Sequence, residues 1–180
     1  MSTSTLQAAG VKLVPYAPRH DAKTVEWLNA SDIRRTFGIS HSVTPASHRA
    51  WIDAAHDTLV WAITDAGGIH CGNVLLHCNA RHRSAYFQIY IGDPAMRGKG
   101  VGRVVLNLVL GHAFSALGLH RIWLHTSPDN APAETLYAHA GFVEEGIERE
   151  SILREGSFCS QRRWSLLAQE WRARSAARSS

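Results

Sequence analysis

The chain has 180 residues, 45% hydrophobic and 19% charged, with 19 Lys and Arg against 15 Asp and Glu for a formal charge of +4. Those proportions describe one globular domain large enough for a real core, and no run reaches the ~18 apolar residues of a membrane span. The opening Met1–Thr5 lacks the basic and apolar regions of a signal peptide, and three cysteines, an odd count, argue against a disulfide scaffold and suit a reducing cytoplasm.

A single domain is expected over 10–171, between flexible tails at 1–9 (small and polar) and 172–180 (Arg/Ala/Ser without an apolar period). Part of the positive charge lies in that second tail, at Arg172, Arg174 and Arg178. The balance suits a polyanionic ligand and does not call for nucleic acid.

Val11 to Tyr16 reads as a short strand. A helix follows from about Pro18 to Asn29, burying Val25 and Leu28, and Ser31-Asp32 caps a second through Phe37. Thr44-Pro45 opens a third, with Trp51, Ile52 and Ala55 inward. Residues 58–64, 69–78 and 84–91 make an antiparallel meander, joined by Asp65-Ala66-Gly67-Gly68 and the polar turn Asn79–Arg83. Cys71 and Cys78 share its middle strand, roughly 23 Å apart at ~3.3 Å per residue. They can neither bridge nor share a metal, and the same spacing disposes of His70-Cys71 with His77-Cys78 as a metal site. No metal is expected.

The next helix is the clearest periodic segment: Val101, Val104, Val105, Leu108, His112, Ala113, Ala116 and Leu117 form one apolar stripe, with His112 read as a core histidine. Gly118 ends it, 121–126 is a strand, and a short helix over 131–140 stops at Gly141. Residues 142–153 and 157–167 form a hairpin across Arg154-Glu155-Gly156. The order predicts an α/β fold: a mixed, mostly antiparallel sheet of about six or seven strands flanked by helices, with one parallel crossover over 86–126.

Before the stripe stands Gly92-Asp93-Pro94-Ala95-Met96-Arg97-Gly98-Lys99-Gly100-Val101-Gly102. Glycines that let the backbone approach, two cations and the unpaired amides of a helix start suit a pyrophosphate. A P-loop fails, because Gly92 and Gly98 are one residue too far apart and Gly100 replaces the Ser or Thr. A dinucleotide fingerprint fails in both registers, since Arg103 or Val105 falls where its third glycine belongs.

The pattern [RQ]-x-x-G-x-[GA] fits Arg97 to Gly102 at every fixed position. About 30 residues on, Asn130, Ala133, Leu136, Tyr137, Gly141 and Phe142 match N-x-x-A/P-x-x-L-Y-x-x-x-G-F. With both halves in order, the chain resembles the GNAT superfamily of acyl-CoA N-acyltransferases over about Val11 to Trp171. The resemblance implies that Arg97, Gly98, Lys99, Gly100, Val101 and Gly102 hold the CoA pyrophosphate. It also implies that Asn130 contacts the CoA arm, and that the backbones of Ile89, Tyr90 and Ile91 pair with pantetheine like an added strand. Tyr137 is implied as the acid that protonates the departing thiolate. Helical spacing agrees, since Asn130 and Tyr137 are two turns apart on one face, about 10 Å at ~1.5 Å per residue. Acetyl-CoA is the expected cosubstrate.

Many relatives place a glutamate on the strand before the loop, but here Tyr86-Phe87-Gln88-Ile89-Tyr90 has no carboxylate. The base is unassigned among His77, His82, His125 and a water chain. The expected acceptor is a primary amine, such as an aminosugar served by Arg34, Arg35, Trp27 and Trp51, with a protein N-terminus as the alternative. A polyamine is less expected, because the N-terminal helices hold few acids (Asp21, Glu26, Asp32). Two rivals stand: a catalytically silent acyl-CoA sensor and a toxin-like acetyltransferase acting on aminoacyl-tRNA. A homodimer is compatible with the sequence.

Overall fold

In the computed structural model, which describes residues 3–179, two short strands come first, β1 (Leu6–Ala8) and β2 (Val11–Pro15). Helices α1 (Asp21–Asn29), α2 (Ser31–Phe37) and α3 (Pro45–Ala54) follow. The meander is β3 (Thr58–Thr64), β4 (His70–Asn79) and β5 (Ser84–Ile91). After the glycine loop come α4 (Val101–Gly111), continued by a wider turn over His112–Ala116, then β6 (Arg121–Thr126) and α5 (Ala131–Ala140). The hairpin of β7 (Val143–Arg154) and β8 (Ser157–Leu167) leads into α6 (Ala168–Ser179).

The described strands form one eight-stranded sheet in the order β1-β2-β3-β4-β5-β6-β8-β7. Every pairing is antiparallel except β5 with β6. The α/β class and the mixed, mostly antiparallel sheet agree with the sequence reading; the count of six or seven strands does not. The extra strand is β1, which turns back through Ala9 and Gly10, both at positive φ, to pair with β2. At the other end, α6 occupies much of what was read as a tail, because Trp171 packs on Phe114 (5.6 Å) and Arg174 donates to the His139 carbonyl (2.9 Å). Met1, Ser2 and Ser180 of those tails lie outside the described residues.

The main core lies where α4 covers one face of the sheet. Val101, Val105, Leu106, Val109 and Leu110 are buried against Leu13, Trp61, Ile63, Leu76 and Phe87, each large side chain stabilising the fold by about 1.5–3 kcal/mol. His112, expected in the core, is half-buried at its margin, edge-on to Trp61 at 5.8 Å. On the opposite side the inward residues differ from those expected. Helix α1 buries Thr24 and Trp27 where Val25 and Leu28 were expected, and α3 buries His48 while Trp51 is 44% exposed. Polar contacts across the domain decide this, since Thr24 accepts from Asn73 (2.9 Å) and His48 meets the Tyr16 hydroxyl (2.8 Å).

Trp27 lies flat against Gly92, where an added Cβ would come within 2.0 Å of its Cδ2 atom. Gly92→Ala is therefore expected to destabilise the fold by about 3 kcal/mol, since the buried tryptophan ring would have to shift. Thermal melting checks this, with a fall of several degrees expected.

His20, only 4% exposed, packs at a tilt against His70 (4.8 Å) and accepts the Ala17 amide through Nδ1 (3.0 Å). Burial, with His70 and Arg19 nearby, pushes its pKa from 6.5 down to about 4. Its folded pKa lies below the unfolded one, so under pH 6.5 the unfolded chain binds the extra proton. The stability held by neutral His20 is full above pH 6.5 and is lost progressively down to about pH 4. Melting temperature should fall over that window, and less steeply in a His20→Phe variant.

Candidate active site

Strands β5 and β6 are paired only at Ser84–Arg121, Ala85–Ile122 and Tyr86–Trp123. Beyond Tyr86 they diverge, and β5 runs on to Ile91 bonded to β4 alone. A cleft of about 240 Å³ occupies the opening, lined by Ile89, Tyr90, Ile91, Gly102, Asn130 and Tyr137 among others. Backbone on one wall with a helix start and a phenol on the other is an arrangement that can take an extended amide-bearing arm.

The loop enters α4 through Gly98 and Gly100, at φ 71° and 78°, where an added Cβ would meet nothing within 4 Å. Gly100 is the N-cap and no side chain caps the helix, so the first-turn amides, with the positive end of the dipole, face open space. Lys99 is exposed there without an ion-pair partner among the described residues. Arg97 turns the other way. Its guanidinium donates to the Ile91 carbonyl (2.8 Å), the Gly92 carbonyl (3.3 Å) and Asp32 (2.6 Å). Burial opposes ionisation of Asp32, but Arg97 and the backbone amides at the start of α2 together outweigh it and hold the carboxyl below its usual value. Arg97 thus braces the loop against β5 and α2, with three of its five N–H donors spent inside the protein.

Asn130 caps α5, its side-chain oxygen accepting from the Ala133 amide (3.3 Å), which leaves its NH₂ for a ligand. Tyr137 is 7% exposed and packs against Phe142 (5.6 Å) and Phe87 (6.3 Å). Burial raises its phenol well above the ordinary 10, and Tyr86 adds to the effect. The hydroxyl therefore keeps its proton at neutral pH, as an acid must.

A second cavity of about 450 Å³ meets the first at Phe37, Gln88 and Tyr90, and lies between α1–α3 and the sheet. Tyr90 accepts from Asn73 Nδ2 (2.6 Å), and burial raises its pKa to about 12. Trp51 lines this cavity, whereas Trp27 is in the core and Arg34 and Arg35 line a separate groove beside it.

Residues 11–143 match the family model for the acetyltransferase (GNAT) domain. The chain belongs to the GNAT family. Spermidine N(1)-acetyltransferase of Vibrio cholerae is 40% identical over 101 residues, 56% of this chain. The match spans 58% of that relative's length. The Escherichia coli K12 enzyme of the same name is 31% identical over 143 residues, covering 77% of this chain and 76% of its own. The crystal structure of V. cholerae spermidine N-acetyltransferase in complex with CoA and spermine superposes with a TM-score of 0.85. That superposition is at 27% identity and covers 91% of this chain and 99% of that one.

Within this GNAT domain the three histidines are not equivalent. His77 spends both ring nitrogens, Nε2 on the Gln88 side chain (2.7 Å) and Nδ1 on the Thr58 hydroxyl (3.0 Å). His82 sits on the exposed β4–β5 turn, at the end of β5 away from the opening. His125 lines the opened cleft with Tyr137, its Nε2 is 3.0 Å from Glu148 Oε2, and its ring lies 5.6 Å from Tyr86. Burial works to raise Glu148, but His125 and Arg163 outweigh it and keep the carboxylate charged. Arg154, Ser127 and Phe37 also line the cleft and carried no local signal. Arg154 comes from the hairpin tip, donating to Ser127 Oγ (2.6 Å) and the Thr36 carbonyl (3.3 Å). No helix is long and apolar enough to cross a membrane, and no group of three metal-ligating side chains occurs among the described residues.

Proposed function

We propose that this GNAT domain transfers the acetyl group of acetyl-CoA directly to a small primary amine. One observation carries the reading: a buried, protonated Tyr137 shares a cleft with unpaired β5 backbone and the uncapped start of α4. The glycine loop and Lys99 take the pyrophosphate, Asn130 and the edge of β5 take the pantetheine, and free β5 amides polarise the thioester carbonyl. The neutral amine attacks that carbonyl carbon, the C–S bond breaks, and Tyr137 gives its proton to the thiolate. His125, steadied by Glu148, accepts the proton released by the amine.

For the amine itself, the names of the relatives, which act on spermidine, speak for a small molecule over a protein N-terminus. The aminosugar reading has less support, because Trp27 is packed in the core and Arg34 and Arg35 lie outside the second cavity. Thiol release on mixing with acetyl-CoA and a panel of amines, aminosugars and peptides tests the activity. A chain that binds CoA and releases no thiol with any of them is a silent binder. His125→Gln should lower kcat by about 10²-fold while leaving the affinity for CoA unchanged. Unaltered turnover in that variant would return the proton to water.

A further inference from the structure

The cavity beside the cleft restricts the acceptor further than its family does. Its walls are apolar at Leu28, Phe37, Val43, Trp51, Ile52 and Leu75. Its polar atoms are largely spent on one another: Tyr16 with His48, and Asn73 with both Thr24 and Tyr90. Among the described residues no Asp, Glu, Lys or Arg lines it. Of the four carboxylates on α1–α3, Asp53 is paired with Arg49, Glu26 with Lys23 and Asp32 with Arg97, while Asp21, also paired with Arg49, lies behind the wall with its Oδ1 3.7 Å from His48 Nε2.

An ammonium buried without a counter-charge costs several kcal/mol. A polyamine would strand at least one such charge here. A monoamine loses its only charge on becoming the nucleophile, and its body gains about 25 cal/mol for each Å² of apolar surface it buries. We propose that the acceptor is a primary monoamine with an aromatic or aliphatic body, seated against Trp51, Ile52 and Leu75 with its nitrogen directed to the junction at Gln88 and Tyr90. The inference uses the acetyltransferase reading only in treating this cavity as the acceptor side.

The test is calorimetric titration of the CoA-loaded full chain with 2-phenylethylamine and with spermidine, followed by thiol release from acetyl-CoA with each. Phenylethylamine should bind at least about tenfold more tightly, the least that one stranded ammonium would cost. Ile52→Glu, in a protein that still melts cooperatively, should narrow or reverse that preference. Spermidine binding as tightly or more tightly, or neither amine binding, overturns the inference. Phenylethylamine binding without thiol release would leave the cavity assignment standing and remove the acetyltransferase reading.

Discussion

Tyr137→Phe should lower kcat by about 10²-fold or more while leaving the affinity for acetyl-CoA nearly unchanged. The substitution removes one oxygen and keeps the ring, so the contacts with Phe87 and Phe142 persist. What goes is the single proton donor that burial holds in its neutral form at the helix face lining the cleft. A CoA thiolate has an ordinary thiol pKa near 8.5, and a donor at the breaking bond removes the need to expel a bare anion into an apolar cleft. Steady-state thiol release gives kcat, and titration with CoA gives the affinity. Equal turnover in the two proteins would take Tyr137 out of the proton path, and a matching loss of CoA affinity would make it a packing residue.

Gly100→Val should weaken CoA binding by about 100-fold, since a β-branched residue both resists positive φ and fills the face where the anion would sit. The protein itself leaves room: no atom lies within 4 Å of the added Cβ, and the cost within the chain is the φ of 78°. Strain and ligand exclusion are separable because Gly68, in the β3–β4 turn, has φ 82° and equally open surroundings. Gly68→Val should cost similar stability and leave CoA affinity intact. If both variants bind CoA normally, the loop is not the pyrophosphate site.

The donor half was largely legible in the sequence because its signals are local. A glycine-rich loop ahead of an apolar stripe reports a helix start, and a seven-residue spacing on α5 puts Asn130 and Tyr137 on one face, where the same cleft takes both. Arg97 shows where that logic stops. Its place in the motif suggested an anion ligand, yet its partners are Asp32, 65 residues earlier, and the carbonyls that end β5. A guanidinium takes whichever acceptors the fold brings nearest, and spacing along the chain is silent on that. The same holds for His77, a plausible base until Thr58 and Gln88 close around both ring nitrogens.

The acceptor side was the least legible, since α1–α3 are short and their apolar residues do not fall on one stripe. Which residues turn inward was settled by polar partners just after β2 and on β4, so that Thr24 and His48 are buried and Trp51 is left at the cavity wall. Local patterns of glycine, apolar period and motif spacing thus suffice for the family, the order of elements and the donor loop. Only the packing of distant segments decided that Arg97 is a brace, that His125 is the histidine lining the cleft with Tyr137, and that no Asp, Glu, Lys or Arg among the described residues lines the second cavity. The reason is physical. Backbone conformation and periodicity are properties of neighbours in sequence, whereas charge pairing and burial are properties of neighbours in space.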